Sequence, residues 1–241
     1  MLKGIIFDYG GTIDTDALHW SEVIWKGYQQ VGVKVSKEVY RLAYVHGERS
    51  LAKFPLIKTE HNFLDLLKIK LNIQTSFLVD AKMWMGMDKK EEKRSRISDQ
   101  IADFCYQFVL DNLKKSRDVL NLLSAQYPLV LVSNFYGNIQ TILDDFKLNF
   151  FQSVIESAVV GIRKPDPRIF QMGVEVLNLN PEEVAVVGDA YDKDILPASS
   201  LGCKTVWLKG IGWNGAQNDD ETIPTAVIDT ITKLPQVIGH L

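Results

Sequence analysis

Short, wholly apolar segments recur along this 241-residue chain, separated by stretches long enough to hold a helix. Four of them, each rich in Val, Ile or Leu and bounded by turn residues, are Gly4–Phe7, Leu129–Val132, Val184–Val187 and Thr205–Leu208. Strands buried on both faces have this composition. Residues 138–146 and 167–177 have helical spacing, and the second segment opens with a proline that suits a first helical turn. The alternation predicts an α/β fold with a doubly wound parallel sheet, closed by a last strand near Thr225–Ile228.

Residues 16–96 break this alternation. They contain no convincing strand, and their apolar residues fall at helical spacing, as in Trp20, Ile24 and Tyr28. We therefore predict a core formed by residues 1–15 and 97–241, with a helical cap of residues 16–96 inserted just after the first strand. The cap would lie over the site at the end of that strand, and the amphipathic run from Ile97 would bring the chain back to the core.

Polar residues follow the predicted strands at the points where those strands end. Asp8 comes directly after Ile5-Ile6-Phe7 and is followed by a glycine-rich turn. Ligand sites of open α/β sheets lie just outside such carboxyl ends, so we expect these polar residues to converge. The residues predicted to meet there are Asp8, Gly10, Gly11, Thr12, Ser133, Asn134, Lys164, Asp189 and Asp194.

One chemistry explains why these residue types would gather. A carboxylate that attacks a phosphate monoester meets a dianion, so the site must offset negative charge. Mg²⁺ is held in proteins by one or two carboxylates, which Asp8 and Asp189 could supply. The Ser133 hydroxyl, the Lys164 ammonium and the backbone N–H groups around residues 9–11 are the available donors for the phosphoryl oxygens.

Four motifs in this order and spacing resemble those of the haloacid dehalogenase-like hydrolase superfamily, in its form with an inserted helical cap. They are FDYGGT at residues 7–12, SN at 133–134, the lysine of RKPDP at 163–167, and GDAYDKD at 188–194. The resemblance implies a Rossmann-like core and a covalent aspartyl intermediate on Asp8. It also implies Mg²⁺ held by Asp8, the Gly10 carbonyl and Asp189, with Asp194 supporting the metal or the lysine. Ser133 and Lys164 would bind the phosphoryl group, and the neighbouring loop residues would contact the substrate.

Gly10 departs from the pattern of the phosphatases that the chain resembles. Those enzymes carry a second Asp two residues after the nucleophile, which protonates the leaving oxygen and later activates water. General acid–base catalysis contributes about 10²–10⁴-fold in rate, so its loss predicts a slow phosphatase unless another group substitutes. Candidates for that group are Tyr9, Asp14, a cap residue such as His46, and the substrate itself.

Three functions therefore remain open from the sequence. The first is a Mg²⁺-dependent phosphatase that acts on a small phosphorylated metabolite. The second is carbon–phosphorus cleavage like that of the phosphonoacetaldehyde hydrolases, which also lack the second Asp and use a cap lysine to form an imine; Lys53 is the first candidate here. The third is a catalytically impaired protein that binds a phosphate ligand.

The predicted cap also offers candidate substrate contacts. Gly47 interrupts the helical pattern of residues 41–53, and a break there would present His46, Glu48 and Arg49 to the substrate. The alternative is a charged helical surface with a turn. His19 and His61 have no partner at metal-ligand spacing, so we predict them at the surface.

Composition excludes other classes of function. The net charge is -3, and no basic tract is long enough for electrostatic binding of nucleic acid. No apolar stretch approaches the ~20 residues of a membrane span, the amino terminus lacks the features of a signal peptide, and the two cysteines have no paired spacing. We predict a cytoplasmic monomer or homodimer with two free thiols, whose partner is a small phosphorylated molecule rather than nucleic acid or membrane.

Overall fold

Six strands form one parallel sheet in the computed structural model of the chain, which describes residues 1–84, 91–216 and 219–241. The described residues form the six strands of this sheet and two further short strands. They are β1 (Gly4–Phe7), β2 (Leu129–Ser133), β3 (Ser153–Glu156), β4 (Val184–Gly188), β5 (Lys204–Leu208), β6 (Ile211–Gly212), β7 (Gly215–Ala216) and β8 (Ala226–Ile228). The sheet order is β3-β2-β1-β4-β5-β8, and β6 pairs with β7 as a separate antiparallel hairpin. The predicted parallel α/β sheet is confirmed.

The strand β3 was not predicted from the sequence. Its sequence, Ser-Val-Ile-Glu, is half polar and lies at the edge of the sheet, paired only with β2. An edge strand is not enclosed on both sides, so it lacks the continuous apolar composition that reveals a central strand.

Helices cover both faces of this sheet. The chain forms α1 (Trp20–Val31), α2 (Lys37–Lys53), α3 (Phe63–Asp80), α4 (Glu91–Ser124), α5 (Ile139–Asp145), α6 (Ser157–Val160), α7 (Arg168–Leu177), α8 (Leu196–Ser200) and α9 (Leu234–Ile238). Side chains of β1 point alternately to the two faces: Ile5 and Phe7 belong to one apolar cluster and Ile6 to the other. This arrangement confirms the doubly wound core.

The helices α1 to α3 and the first residues of α4 lie in the region predicted to be a cap. Among them, α1 packs on α4, α2 on α3, and α3 on α4. The helix α4 runs without interruption through the predicted boundary between residues 96 and 97. It also packs against α9. Within the described residues, none of the helices is both long and apolar enough to span a membrane.

The predicted break at Gly47 is wrong, because α2 continues through it to Lys53. A Cβ at position 47 would lie 3.0 Å from the Gln74 Cγ on α3. The glycine therefore allows α2 and α3 to approach closely instead of interrupting the helix.

The β6–β7 hairpin holds the entrance to the first cap helix. Ile211 forms a bridge with Leu18, and its carbonyl accepts the His19 N–H at 2.9 Å. At the tip of the hairpin, the Trp213 ring lies 5.4 Å from that of Tyr44 and 4.6 Å from the Arg41 guanidinium. The hairpin thus connects the predicted core with the predicted cap beside the ends of the strands.

Candidate active site

Asp8 lies at the carboxyl end of β1 with its side chain almost fully buried. Its Oδ1 accepts a hydrogen bond from the Lys164 Nζ at 2.6 Å, and its Oδ2 accepts one from the Thr12 hydroxyl at 3.1 Å. These contacts fix both carboxylate oxygens. Asp8 therefore presents a preorganised carboxylate at the floor of a cavity, which it lines.

Lys164 joins two carboxylates at the centre of the site. Its Nζ lies 2.6 Å from Asp8 Oδ1 and 2.7 Å from Asp194 Oδ1. Burial alone would lower the pKa of Lys164, but the two carboxylates outweigh it and hold that pKa above its ordinary value. Asn134 positions the lysine loop, because its side chain accepts the Lys164 N–H at 2.9 Å and donates to the Lys164 carbonyl at 3.1 Å.

Asp8, Asp189 and Asp194 offer carboxylate oxygens that all lie within 4.8 Å of one another. Burial and then the negative charge of Asp8 and Asp194 raise the pKa of Asp189 well above its ordinary value. Burial likewise raises the pKa of Asp194 to about 6, although Lys164 opposes this. Crowded carboxylates of this kind suit a hard divalent cation, which prefers oxygen ligands.

The loop after β1 approaches this cluster closely at Gly11. The residue has a φ of 102°, and a Cβ there would lie 2.3 Å from Asp189 Oδ2. Its N–H donates a hydrogen bond to Asp14 Oδ1 at 2.7 Å. This amide is therefore not the unpaired donor to a phosphoryl oxygen that the sequence predicted.

Next to Gly10 there is room for a side chain. A Cβ at position 10 would meet only the Trp20 Nε1, at 4.0 Å. That Nε1 donates to Asp14 Oδ2 at 2.9 Å. Asp14 itself is fully buried and lies outside the residues that line the cavity, so it supports the loop from behind instead of facing a substrate.

Asp14 leads to a prediction about stability and pH. Burial raises its pKa to about 7 from an ordinary value of 3.8. The folded state thus binds this proton more tightly than the unfolded state, so the wild-type protein loses stability through this group as the pH rises from about 4 to 7. The loss of unfolding free energy caused by Asp14→Asn should therefore become smaller over that range. The decrease is about 1.4 kcal/mol for each unit by which the pKa of Asp14 differs between the folded and unfolded states. Urea unfolding of the wild-type protein and of Asp14→Asn at pH 5 and pH 8 measures this difference in free energy. A difference that grows with pH would contradict a raised pKa of Asp14.

The cavity above Asp8 has a volume of about 210 Å³. Ligand sites for drug-sized molecules occupy ~300–1,000 Å³, so this one suits a smaller molecule. Ser133, Asn134 and Lys164 line its core side. The cap contributes a second wall, whose members include His19, Trp20, Tyr44, Glu48, Leu66, Leu67 and Lys70.

The structure does not bring every predicted contact to this cavity. Thr12 lies beneath it, bonded to Asp8 and, at 3.3 Å, to Asp189. His46 stacks on Phe77 with ring centroids 4.4 Å apart. Arg49 and Lys53 line an outer groove, in which Lys53 lies over the Phe54 ring.

Other residues reach the cavity without any signal in the sequence. His19, predicted at the surface, is half-buried there, and burial lowers its pKa to about 4. Its Nδ1 accepts the Ser21 N–H at 3.1 Å, so the neutral ring carries its proton on Nε2. Lys70 and Tyr136 also line the cavity, as does Glu48, one of the substrate contacts predicted with His46 and Arg49.

Comparison with known proteins agrees with this geometry. Residues 2–202 match the family model of the haloacid dehalogenase-like hydrolases. A glyceraldehyde 3-phosphate phosphatase from Pyrococcus furiosus is 43% identical over 67 residues, which cover 28% of this chain and 26% of that protein. A phosphoserine phosphatase from Thermus thermophilus is 45% identical over 58 residues, covering 24% of this chain and 23% of that protein. The chain thus spans only about a quarter of the length of these curated relatives.

Solved structures share the fold over nearly the whole chain. The putative HAD-hydrolase YfnB from Bacillus subtilis has a TM-score of 0.59 at 17% identity and covers 98% of both chains. A dehalogenase structure has a TM-score of 0.62 at 20% identity and covers 98% of this chain and 96% of that one. The strand-end residues, the family match and the shared fold together place this chain in the haloacid dehalogenase-like hydrolase family.

Proposed function

We propose that the chain is a Mg²⁺-dependent phosphatase of small phosphorylated metabolites, with Asp8 as its nucleophile. The observation that carries this proposal is the contact of Lys164 with both Asp8 and Asp194 at the floor of a small cavity, beside Asp189. A cation paired with two acids at strand ends is suited to hold a phosphoryl group next to an attacking carboxylate. The names of the partial relatives, both phosphatases, support a phosphate-ester substrate.

In this proposal each residue has a distinct task. Asp8 attacks phosphorus and forms an aspartyl phosphate, while the alcohol departs with a proton from a neighbouring donor. Lys164 and the Ser133 hydroxyl bind the phosphoryl oxygens, and Asn134 keeps the lysine loop in position through its two backbone hydrogen bonds. Water then cleaves the aspartyl phosphate, which restores Asp8 and releases phosphate.

The acidic cluster fits the proposed metal. Asp8, Asp189, Asp194 and the Gly10 carbonyl would hold Mg²⁺, with Asp194 acting directly or through Lys164. When bound, the ion offsets the charge of the phosphoryl group. The raised pKa of Asp189, caused by burial and by its acidic neighbours, is the observation that favours a cation at this place.

The cap does not favour carbon–phosphorus cleavage through an imine. Imine formation requires a neutral amine, and Lys70, which lines the cavity, is paired with Glu48 at 2.8 Å. Burial would lower the pKa of Lys70, but Glu48 and the nearby tyrosines raise it well above its ordinary value. Lys53, the lysine suggested by the sequence, lies outside the cavity lining. A phosphatase is therefore the better proposal.

A panel of phosphate monoesters, assayed with and without Mg²⁺, tests the proposed function. We expect slow hydrolysis of at least one small aliphatic ester, and faster hydrolysis of acetyl phosphate, whose leaving group needs little protonation. Activity that persists in EDTA, or no hydrolysis of any ester in millimolar Mg²⁺, would refute the proposal.

Metal binding can be tested apart from turnover. Mg²⁺ should raise the thermal unfolding midpoint, because a ligand that binds only the folded state stabilises it. Asp189→Asn removes one ligand and should raise the Mg²⁺ concentration for half-maximal stabilisation by about tenfold or more. Asp192→Asn is the matched control, since Asp192 is exposed on the same turn and does not line the cavity. Equal Mg²⁺ responses in the two variants would exclude Asp189 as a ligand.

A further inference from the structure

An ion pair lies on the wall that α2 and α3 contribute to the cavity that Asp8 also lines. Lys70 of α3 and Glu48 of α2 approach to 2.8 Å between Nζ and Oε1. The Tyr136 hydroxyl, from the loop after β2, donates to Glu48 Oε2 at 2.9 Å. All three residues line the cavity, and 35% of the Glu48 side chain is accessible there.

This arrangement leaves hydrogen-bonding capacity for a ligand. The Lys70 ammonium has three N–H groups, and it is paired with Glu48 Oε1, which is itself buried. Glu48 Oε2 accepts one hydrogen bond from Tyr136 and has a second lone pair. The wall therefore offers charge-assisted donors and acceptors side by side.

The charges of this pair are mutually compensating, and both are present at neutral pH. Lys70 holds the pKa of Glu48 below its ordinary value despite burial. A buried ion pair contributes little to stability compared with apolar residues of the same volume. Its place on the wall of a cavity that also contains Leu66 and Leu67 suggests that it serves recognition.

Besides Lys164, two other cations line the same cavity, Arg163 and Lys193, and both are exposed. Solvent screens exposed charges strongly, whereas groups in a partly dry cavity interact at lower dielectric. The exposed cations can attract an anionic substrate from solution.

We propose that Glu48, Lys70 and Tyr136 form the leaving-group subsite, and that it takes the uncharged, hydroxylated end of a small polyol or hydroxyaldehyde phosphate. This inference rests on the proposed phosphatase function. A hydroxyl group both donates and accepts, so neighbouring hydroxyls match Glu48 and Lys70 together. A carboxylate at the same place would meet Lys70 but also lie against the charged Glu48, and an apolar group would form no hydrogen bond with either side chain.

Glycerol 3-phosphate and 3-phosphoglycerate provide a matched pair of probes, because they differ only in a terminal CH₂OH or carboxylate. The wild-type protein in Mg²⁺ should prefer glycerol 3-phosphate by about tenfold or more in kcat/KM. Glu48→Gln removes the repulsion and should reduce this preference to within about threefold, mainly through KM for 3-phosphoglycerate. Glu38→Gln is the control, because Glu38 is an exposed residue of the same helix outside the cavity lining, and it should keep the wild-type preference.

The outcomes separate the subsite from the function. Acetyl phosphate reports phosphoryl transfer without hydroxyl recognition, so wild-type hydrolysis of acetyl phosphate with no preference between the matched probes would overturn the subsite alone. A wild-type preference for 3-phosphoglycerate, or for O-phosphoserine over both probes, would also overturn it. If no phosphate is hydrolysed, the proposed function itself fails. Should Glu48→Gln not fold, the wild-type preference still decides, and Tyr136→Phe should weaken glycerol 3-phosphate binding while keeping the ring.

Discussion

Replacement of Asp8 by Asn is expected to abolish phosphate-ester hydrolysis in a chain that remains folded. An amide is a poor nucleophile, and the change also removes one of the three carboxylates that lie within 4.8 Å of one another. Loss of a nucleophile in a hydrolase costs up to about 10⁶-fold. We expect kcat/KM for acetyl phosphate in Mg²⁺ to fall by at least about 10⁴-fold, with an unchanged circular dichroism spectrum.

Asp16→Asn makes a matched control in the same loop. The Asp16 carboxylate accepts the Ile231 N–H at 2.7 Å and the Thr230 hydroxyl at 3.0 Å, and it does not line the cavity. This variant should lose about 1 kcal/mol of the free energy of unfolding, with its turnover kept. Asp8→Asn should thus lose activity and keep its fold, whereas Asp16→Asn should lose stability and keep its activity. Asp8→Asn retaining more than a hundredth of wild-type activity would exclude the covalent mechanism.

The central strands and their terminal residues were predictable because burial on both faces leaves a continuous apolar signal. Asp8 and Asp189 follow such strands directly, and parallel strands place their carboxyl ends at one edge of the sheet. The contact between Asp8 and Asp189 could therefore be expected from position alone. The edge strand β3 carries no such signal, because it is short and half polar.

The cap wall was not predictable for a different reason. Helical spacing indicates which residues share a face, but the register between α2 and α3 depends on contacts such as Gly47 against Gln74. That register brings Glu48 to Lys70 and turns His46 onto Phe77. Pairings between residues on different helices leave no local pattern in one sequence, so the ion pair of Glu48 with Lys70 could not be predicted.

Gly10→Asp should increase turnover, and the increase should depend on the leaving group. The position can accept a side chain, since Gly10 is not among the residues with positive φ and its Cβ would lie 4.0 Å from the Trp20 Nε1. An added carboxyl group would supply general acid–base catalysis, worth about 10²–10⁴-fold where it is fully effective. An alkoxide needs protonation to depart, whereas a phenolate needs little. We therefore expect a larger gain in kcat for glycerol 3-phosphate than for phenyl phosphate.

Gly10→Asn controls for the volume of the new side chain, because it has nearly the same shape without an ionisable group. Some gain on both esters is expected with Asp, since the aspartyl phosphate also requires activated water, and none is expected with Asn. If Gly10→Asp produces no gain or a loss, another group already transfers the proton, or the site performs different chemistry. Borohydride reduction with phosphonoacetaldehyde separates these cases: an adduct on Lys70 or Lys53 would reveal an imine. We expect no adduct, because Glu48 keeps the Lys70 amine protonated and Lys53 lies outside the cavity lining.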